Sequence, residues 1–383
     1  MGRSPGLGLG AIAGSDRRPG LGGFGARVWG ALDPVLITIT LALVTLALLN
    51  LNSAGAGDWS GRVAAQIRWI GLGLATMLVV GSLDYRLFHR VAYQAYGAAV
   101  GLLVLVLPFG TVVNNSRRWL VVGALRVQPS EVMKVVLIVA LARYLHDLPV
   151  AARGRLRQLL VPTAMVLAPA VLVLEQPDLG TALLLMVLAL NMLAVSELTW
   201  RTLLAILASG TVAATVGWGF LHDYQKERID VWLDPELYAD DEGFQTIQGM
   251  ISVGNGGFFG RGVNQGTQNV LSFLPERYTD FPFAVFSEEW GFIGTATVVV
   301  LFLALVLWAV NLAAQAKDRF AVLLCLGVAA LFFWHVLVNV GMVLQLLPVV
   351  GVTLPFFSYG GSNVMVVFTS LGLLLSVSRA RHA

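Results

Sequence analysis

Between Leu274 and Glu289 the chain reads LPERYTDFPFAVFSEE, placing four carboxylates and an arginine directly before a long apolar run. Charges beside a membrane span are costly unless they act or pair. Glu276, Arg277, Asp280, Glu288 and Glu289 are therefore the first residues to examine for chemistry. Asp280 precedes Phe281-Pro282, and a short acid followed by proline is a common helix start, which makes Asp280 an N-cap in the plainer reading. In the chemical reading its carboxylate accepts a proton from a hydroxyl or helps to hold a divalent cation, Mg or Mn. Glu288 and Glu289 fall inside the following helix. Pairing with Arg277, Arg117 or Arg118 would satisfy them as well as a catalytic role, and structural pairing is the expectation adopted here.

Three other polar interruptions accompany this one. Residues 114–134, NNSRRWLVVGALRVQPSEVMK, carry Arg117, Arg118, Arg126 and Lys134, a cluster suited to an anionic head group because guanidinium forks match phosphate oxygens and lysine adds a point charge. The alternative is that Arg117 and Arg118 reach lipid head groups while Glu131 and Lys134, three apart on one helix face, pair with each other. Glu175 to Gly180, with Asp178, and Leu354 to Asn363, with Ser358, interrupt further apolar runs.

The elements that must position these residues are membrane helices. Of 383 residues, 57% are hydrophobic and only 12% charged, which excludes an ordinary soluble domain. Apolar stretches near the ~20 residues needed to cross a bilayer recur at 32–51, 64–83, 91–108, 130–145, 159–175, 179–195, 202–221, 283–310, 320–347 and 361–377. The expected fold is an all-α polytopic membrane protein of about ten helices with both termini cytoplasmic. Residues 1–30 form a flexible cytoplasmic tail, 31–378 a single membrane domain and 379–383 a short cytoplasmic tail. One large extracellular loop, 222–282, joins helices 7 and 8.

Arg86, Arg90, Arg153, Arg155, Arg157, Arg201, Lys317, Arg319, Arg379 and Arg381 then lie inside, and all four polar interruptions outside. Within the large loop, His222 to Glu242 reads as a solvated acidic face. GNGGFFGRGVNQG, 254–266, allows close backbone approach and fits neither common nucleotide-binding glycine signature. It is either a loop packed against the membrane face, lining a groove, or an irregular connector. The single cysteine, Cys325, lies in an apolar run and supports no disulfide or cysteine-rich metal site.

The interruptions carry a resemblance. Arg118-Trp119-Leu120, Gln128-Pro129-Ser130-Glu131 with Lys134, and Gln176-Pro177-Asp178-Leu179-Gly180-Thr181 resemble signature blocks of the SEDS proteins (shape, elongation, division and sporulation). Leu274-Pro275-Glu276-Arg277 with Thr279-Asp280-Phe281, and Leu354-Pro355-Phe356 with Ser358-Tyr359-Gly360-Gly361-Ser362, complete the set in family order. Arg277 after Leu-Pro-Glu is more similar to RodA than to its sister FtsW.

The resemblance implies a peptidoglycan glycosyltransferase that polymerises lipid II on the outer face of the bacterial cytoplasmic membrane. It also implies a class B penicillin-binding protein partner, further elongation-complex membrane proteins, and Asp280 as the essential acid. Nucleic acid is not an expected partner. Tyr278 stands where many members carry histidine, and Asn363 where a small hydroxyl residue is common.

Joining lipid-linked sugars needs a base for the acceptor hydroxyl and positive charge for the departing pyrophosphate. Asp280 is the expected base, Arg117, Arg118 and Lys134 the pyrophosphate ligands, and Glu131 the residue that positions Lys134. Glu276, Arg277, Glu288, Glu289, Asp178 and Ser358 support the site. A lipid II flippase and a non-catalytic scaffold for a penicillin-binding protein are the alternatives.

Overall fold

The computed structural model describes residues 33–55, 59–113, 116–123, 125–149, 156–195, 223–240, 242–271 and 273–382, with six isolated positions between 204 and 219. The helices are α1 (Pro34–Ala54), α2 (Ala64–Ser82), α3 (Tyr85–Phe109), α4 (Pro129–Asp147), α5 (Leu160–Leu174), α6 (Leu179–Val195), α7 (Asp223–Leu233), α8 (Glu242–Gly256), α9 (Thr267–Val270), α10 (Pro282–Ala314), α11 (Arg319–Val343) and α12 (Gly361–His382). Six of the described helical segments, Pro34–Ala54, Gly61–Ser82, Tyr85–Phe109, Pro282–Ala314, Arg319–Val343 and Gly361–Arg381, are long and apolar enough to cross a membrane. Helices α5 and α6 are apolar but shorter, and α4 carries charge in its first turns. The expected span 202–221 falls largely outside the described residues, as do the tail 1–30, Arg153, Arg155 and Arg201.

Helix starts at one end of the bundle are set by short acids. Asp33 accepts from the Leu36 amide, Asp84 from the Arg86 amide and Asp318 from the Ala321 amide, capping α1, α3 and α11. Helix α3 therefore begins at Tyr85, taking in Arg86 and Arg90 ahead of the apolar run that starts near residue 91. Helix α12 likewise runs on to His382, past the expected tail boundary.

The expectation of an all-α fold is corrected by a small antiparallel sheet, β1 (Thr111–Val113), β2 (Ser116–Val122) and β3 (Leu125–Val127), in the order β1-β2-β3. Valines at 112, 113, 121, 122 and 127 favour strands, and Gly123, at φ 62°, makes the tight β2–β3 turn. The cationic segment is thus a folded ribbon. The acidic part of the large loop is also folded, as α7 and the start of α8.

The core lies between α2 and α12 and among α4, α10, α11 and α12. Gly73 and Gly81 face Phe368 and Leu375, and Gly372 faces Val80, each leaving no room for a side chain of its own, so the α2 and α12 backbones pack closely.

Helix α10 has 33 residues, and at ~1.5 Å per residue it exceeds the ~30 Å hydrocarbon thickness. It is two helices joined at Gly291, where φ is 62° and ψ −161°. The glycine-rich segment repairs that break. Arg261 and Gly262 amides donate to the Glu288 and Glu289 carbonyls (2.9 and 3.0 Å), and Phe292 and Ile293 amides donate to Gly257 and Phe258 (2.9 and 3.2 Å). Backbone groups freed inside a membrane protein must find partners, and this segment supplies them. It packs on α10 as a close-fitting loop, not as an irregular connector.

Candidate functional site

At the end of the bundle where α3, α5 and α11 finish and α4, α6, α10 and α12 begin, the four polar interruptions meet. Asp280 closes the loop before α10. Its amide donates to the Glu276 carbonyl (3.1 Å), and its own carbonyl accepts from Asn339 Nδ2 (2.9 Å). The N-cap of α10 is Phe281, with no side-chain capping bond, so the capping role is not the one Asp280 performs. Its carboxylate is half-buried, and among the described residues nothing donates a hydrogen bond to it. Burial, first, and the nearby Glu276 and Asp178 carboxylates raise its pKa to about 6, against the opposing pull of Arg228 and Arg118.

The loop 344–354 faces this carboxylate. Gly351, at φ 71°, brings its backbone beside Asp280: a Cβ built there would sit 3.5 Å from Oδ2. Asn339 also donates to Val352 (2.8 Å), and His335, one turn earlier on α11, meets the Thr353 carbonyl (2.8 Å). A carbonyl only accepts, so His335 Nδ1 carries the proton and Nε2 accepts from Lys134 Nζ at 3.0 Å. Lys134 also pairs with Glu131 (2.7 Å) and is only 1% exposed. Glu131 and Lys134 therefore brace the Asp280-facing loop through His335. From the other side Arg228 donates to Val349 (2.8 Å) and lines a cavity with Trp232, Gln245 and Thr246.

Of the expected pyrophosphate ligands, Arg118 is the one whose charge acts on Asp280. Its guanidinium donates to the Gln176 carbonyl (3.0 Å) and the Pro177 carbonyl and lies 3.8 Å from Asp178. Asp178 is itself engaged at the start of α6, accepting from Thr181 N (3.2 Å) and Gln128 Nε2 (3.4 Å). Ser362 links Gln128 N to the Arg126 carbonyl, tying the ribbon to α12. Arg117 points away, exposed, and donates to Leu107 (3.3 Å).

The supporting residues divide. Glu276 accepts from Thr279 Oγ1 (2.8 Å), and Ser358 donates to the Thr279 carbonyl (2.5 Å), fixing the turn that presents Asp280. Arg277 lies beside Tyr278, whose ring is also covered by Arg62 at 4.4 Å and whose hydroxyl donates to Ala54 (3.0 Å). Glu288 corrects the expectation of an arginine partner. Fully buried, it accepts from Thr267 N and Oγ1 (both 2.8 Å) and from Gln268 N (3.2 Å), because the amides at the start of α9 reach it where arginines do not. Ser53 donates to Glu289, which is also buried.

Arg228, His335 and Asn339 were passed over in the sequence. Signals existed: Arg228 is one of two bases in a strongly acidic stretch, and His335 and Asn339 are polar residues four apart inside a span. As for a divalent cation, the Asp280 carboxylate accepts no hydrogen bond from the described residues and so has lone pairs to offer. An ion there would draw its other ligands from water and a substrate diphosphate, a mode typical of Mg.

At one mouth of this multi-helix bundle, then, stands a carboxylate that accepts no hydrogen bond from the described residues, under the influence of two arginines, Arg228 and Arg118. Residues 31–383 match the model of the cell cycle protein family FtsW/RodA/SpoVE. The chain belongs to that family, the SEDS proteins, and is a multi-pass protein of the bacterial cytoplasmic membrane. It is similar to the peptidoglycan glycosyltransferase MrdB of Escherichia coli (strain K12), 36% identical over 351 residues, covering 91% of this chain and 94% of the relative. A solved structure described as the structural coordination of polymerization and crosslinking by a peptidoglycan synthase complex contains a chain 34% identical. That match has a TM-score of 0.79 and covers 91% of this chain and 98% of the other. The crystal structure of Thermus thermophilus RodA, a rod shape determining protein, is 32% identical with a TM-score of 0.69, covering 92% and 98%.

Proposed function

We propose that this protein is a peptidoglycan glycosyltransferase that polymerises lipid II into glycan strands on the outer face of the cytoplasmic membrane during cell elongation and shape maintenance. The observation that carries the reading is the Asp280 carboxylate, which the described residues leave without a donor where the four polar interruptions meet. A base for a sugar hydroxyl must keep a lone pair free, and a pKa near neutrality suits proton exchange at the pH of growth. Asp280 takes the proton of the acceptor hydroxyl as that oxygen displaces the polyprenyl pyrophosphate of the donor.

Arg118 is the direct partner of the departing phosphates, and Arg228 adds charge from α7. Lys134, buried and held by Glu131, acts through the field and through the loop it braces. Arg117, exposed on the ribbon, contacts phosphates that arrive along the bilayer surface. A divalent cation, Mg or Mn, would be held by Asp280 and the substrate diphosphate and would supply charge neutralisation there. A class B penicillin-binding protein cross-links the product, and other elongation-complex membrane proteins join the assembly.

The test is polymerisation of lipid II by purified protein and partner in detergent. Wild type yields long glycan strands and Asp280→Ala yields none; normal strand formation by Asp280→Ala, with the protein folded, removes the role.

A further inference from the structure

The end of the bundle opposite Asp280 carries a second cluster that the proposed chemistry does not use. His89, on the second turn of α3, and His146 and Asp147, at the end of α4, each offer one ligand atom, and these atoms all lie within 4.8 Å of one another. We propose that His89, His146 and Asp147 form a binding site for a zinc-class transition-metal ion that staples the start of α3 to the end of α4.

Three observations carry this. First, His89 Nε2 and Asp147 Oδ1 are 3.0 Å apart. Tetrahedral bonds of about 2.0–2.1 Å place ligand atoms about 3.3 Å apart, so this pair needs only a small opening to admit a cation, the bridging proton passing to the other ring nitrogen or to water, while the His146 ligand atom, within 4.8 Å of both, closes on the ion. Second, His146 Nδ1 is buried and has no hydrogen-bond partner among the described residues, an arrangement rare for a buried polar atom. Its ring lies edge-on to His89, with centroids 5.3 Å apart, and both rings pack on Phe320 of α11. Third, a cavity bounded by Tyr85, His89, His146 and Asp318 opens beside the cluster, and Asp147 is partly exposed, which leaves space for water as a fourth ligand.

The surrounding charges decide the class of ion. Arg143 lies 3.6 Å from Asp147 Oδ2, leaving Oδ1 to the cluster, and donates to the Arg90 carbonyl. Arg86 lies over the Tyr85 ring, whose hydroxyl is engaged with Asp318 (2.5 Å). With arginines at 86, 90 and 143 nearby, a hard ion held by charge alone is disfavoured. Two imidazoles select a borderline ion held by directed bonds, with Arg143 as the outer partner of the ligating carboxylate.

The experiment uses the full chain in nanodiscs, purified through a tag without histidine and stripped of metal. Zinc is titrated against a chromophoric chelator, cobalt(II) is followed by its ligand-field absorption, and thermal unfolding is recorded with and without zinc. One zinc per chain, a tetrahedral cobalt spectrum and a zinc-dependent rise in melting temperature are expected. His89→Gln and His146→Gln, which retain hydrogen-bonding capacity, should weaken zinc at least roughly tenfold and abolish the rise while melting as wild type does without metal. Absence of stoichiometric zinc and of the cobalt spectrum in wild type, or affinity unchanged in the double variant, overturns the site. If the variants do not fold, the wild-type stoichiometry and cobalt spectrum decide alone.

Discussion

Asp280 must lose its proton before it can take another, and its surroundings resist that loss. Burial and the acids at 276 and 178 hold its pKa at about 6, above the usual carboxylate value of 3.8. The sign follows: below pH 6 the group is protonated and idle, and activity should rise through pH 6 as the base is freed. A pH profile of kcat/KM for strand formation should show this acidic limb, and a flat profile from pH 5 to 8 would count against Asp280 as the base. The same raised pKa favours the folded protein at low pH, with that contribution lost as pH climbs through 6. At Arg118 the geometry is that of a fork, with separate nitrogens on Gln176, Pro177 and Asp178. Lysine cannot reproduce it, so Arg118→Lys should lose roughly 10- to 100-fold in polymerisation and also lower the melting temperature, since the fork ties the ribbon to the start of α6.

At the scale of elements, two devices set the loops that carry these residues. The first is the Glu131–Lys134–His335–Thr353 chain, which joins α4 to α11 and to the loop facing Asp280. Removing one charge strands the other in the interior, so Lys134→Met should destabilise by about 3–5 kcal/mol. Adding Glu131→Gln should recover part of that loss, and a double-mutant cycle on melting curves measures the recovery. The second is the backbone clasp between the glycine-rich segment and the broken α10. Gly260 sits at φ 82° with the Glu289 carbonyl where a Cβ would be. Gly260→Ala should therefore cost about 2–4 kcal/mol of stability, read as a lowered melting temperature in detergent.

Across the whole molecule, the polar ends of the bundle have separate tasks: Asp280 and its loops at one mouth, the histidine cluster at the other. Six of the ten expected spans, the polar interruptions and the family blocks were legible in the sequence because a bilayer demands ~20 apolar residues per crossing and makes each charged interruption conspicuous. Helix caps at Asp33, Asp84 and Asp318 are local, yet the apolar runs alone did not mark them, and α3 begins at Tyr85 where its apolar run begins near 91. The ribbon at 111–127 was not legible either, since its short strands lie in a stretch dominated by its charges. Nor was the partner of Glu288, which depends on a four-residue helix reached across 20 positions of chain. The sequence by itself determined a membrane bundle with four polar segments and the residue types for sugar transfer. Only the tertiary structure decided which charges are neutralised and which are presented: Lys134 is sealed in an ion pair, Arg117 is turned outward, and Asp280 is left with its lone pairs open. Pairing between charges far apart in the chain is decided by helix packing and loop approach, and no local pattern of residues encodes it.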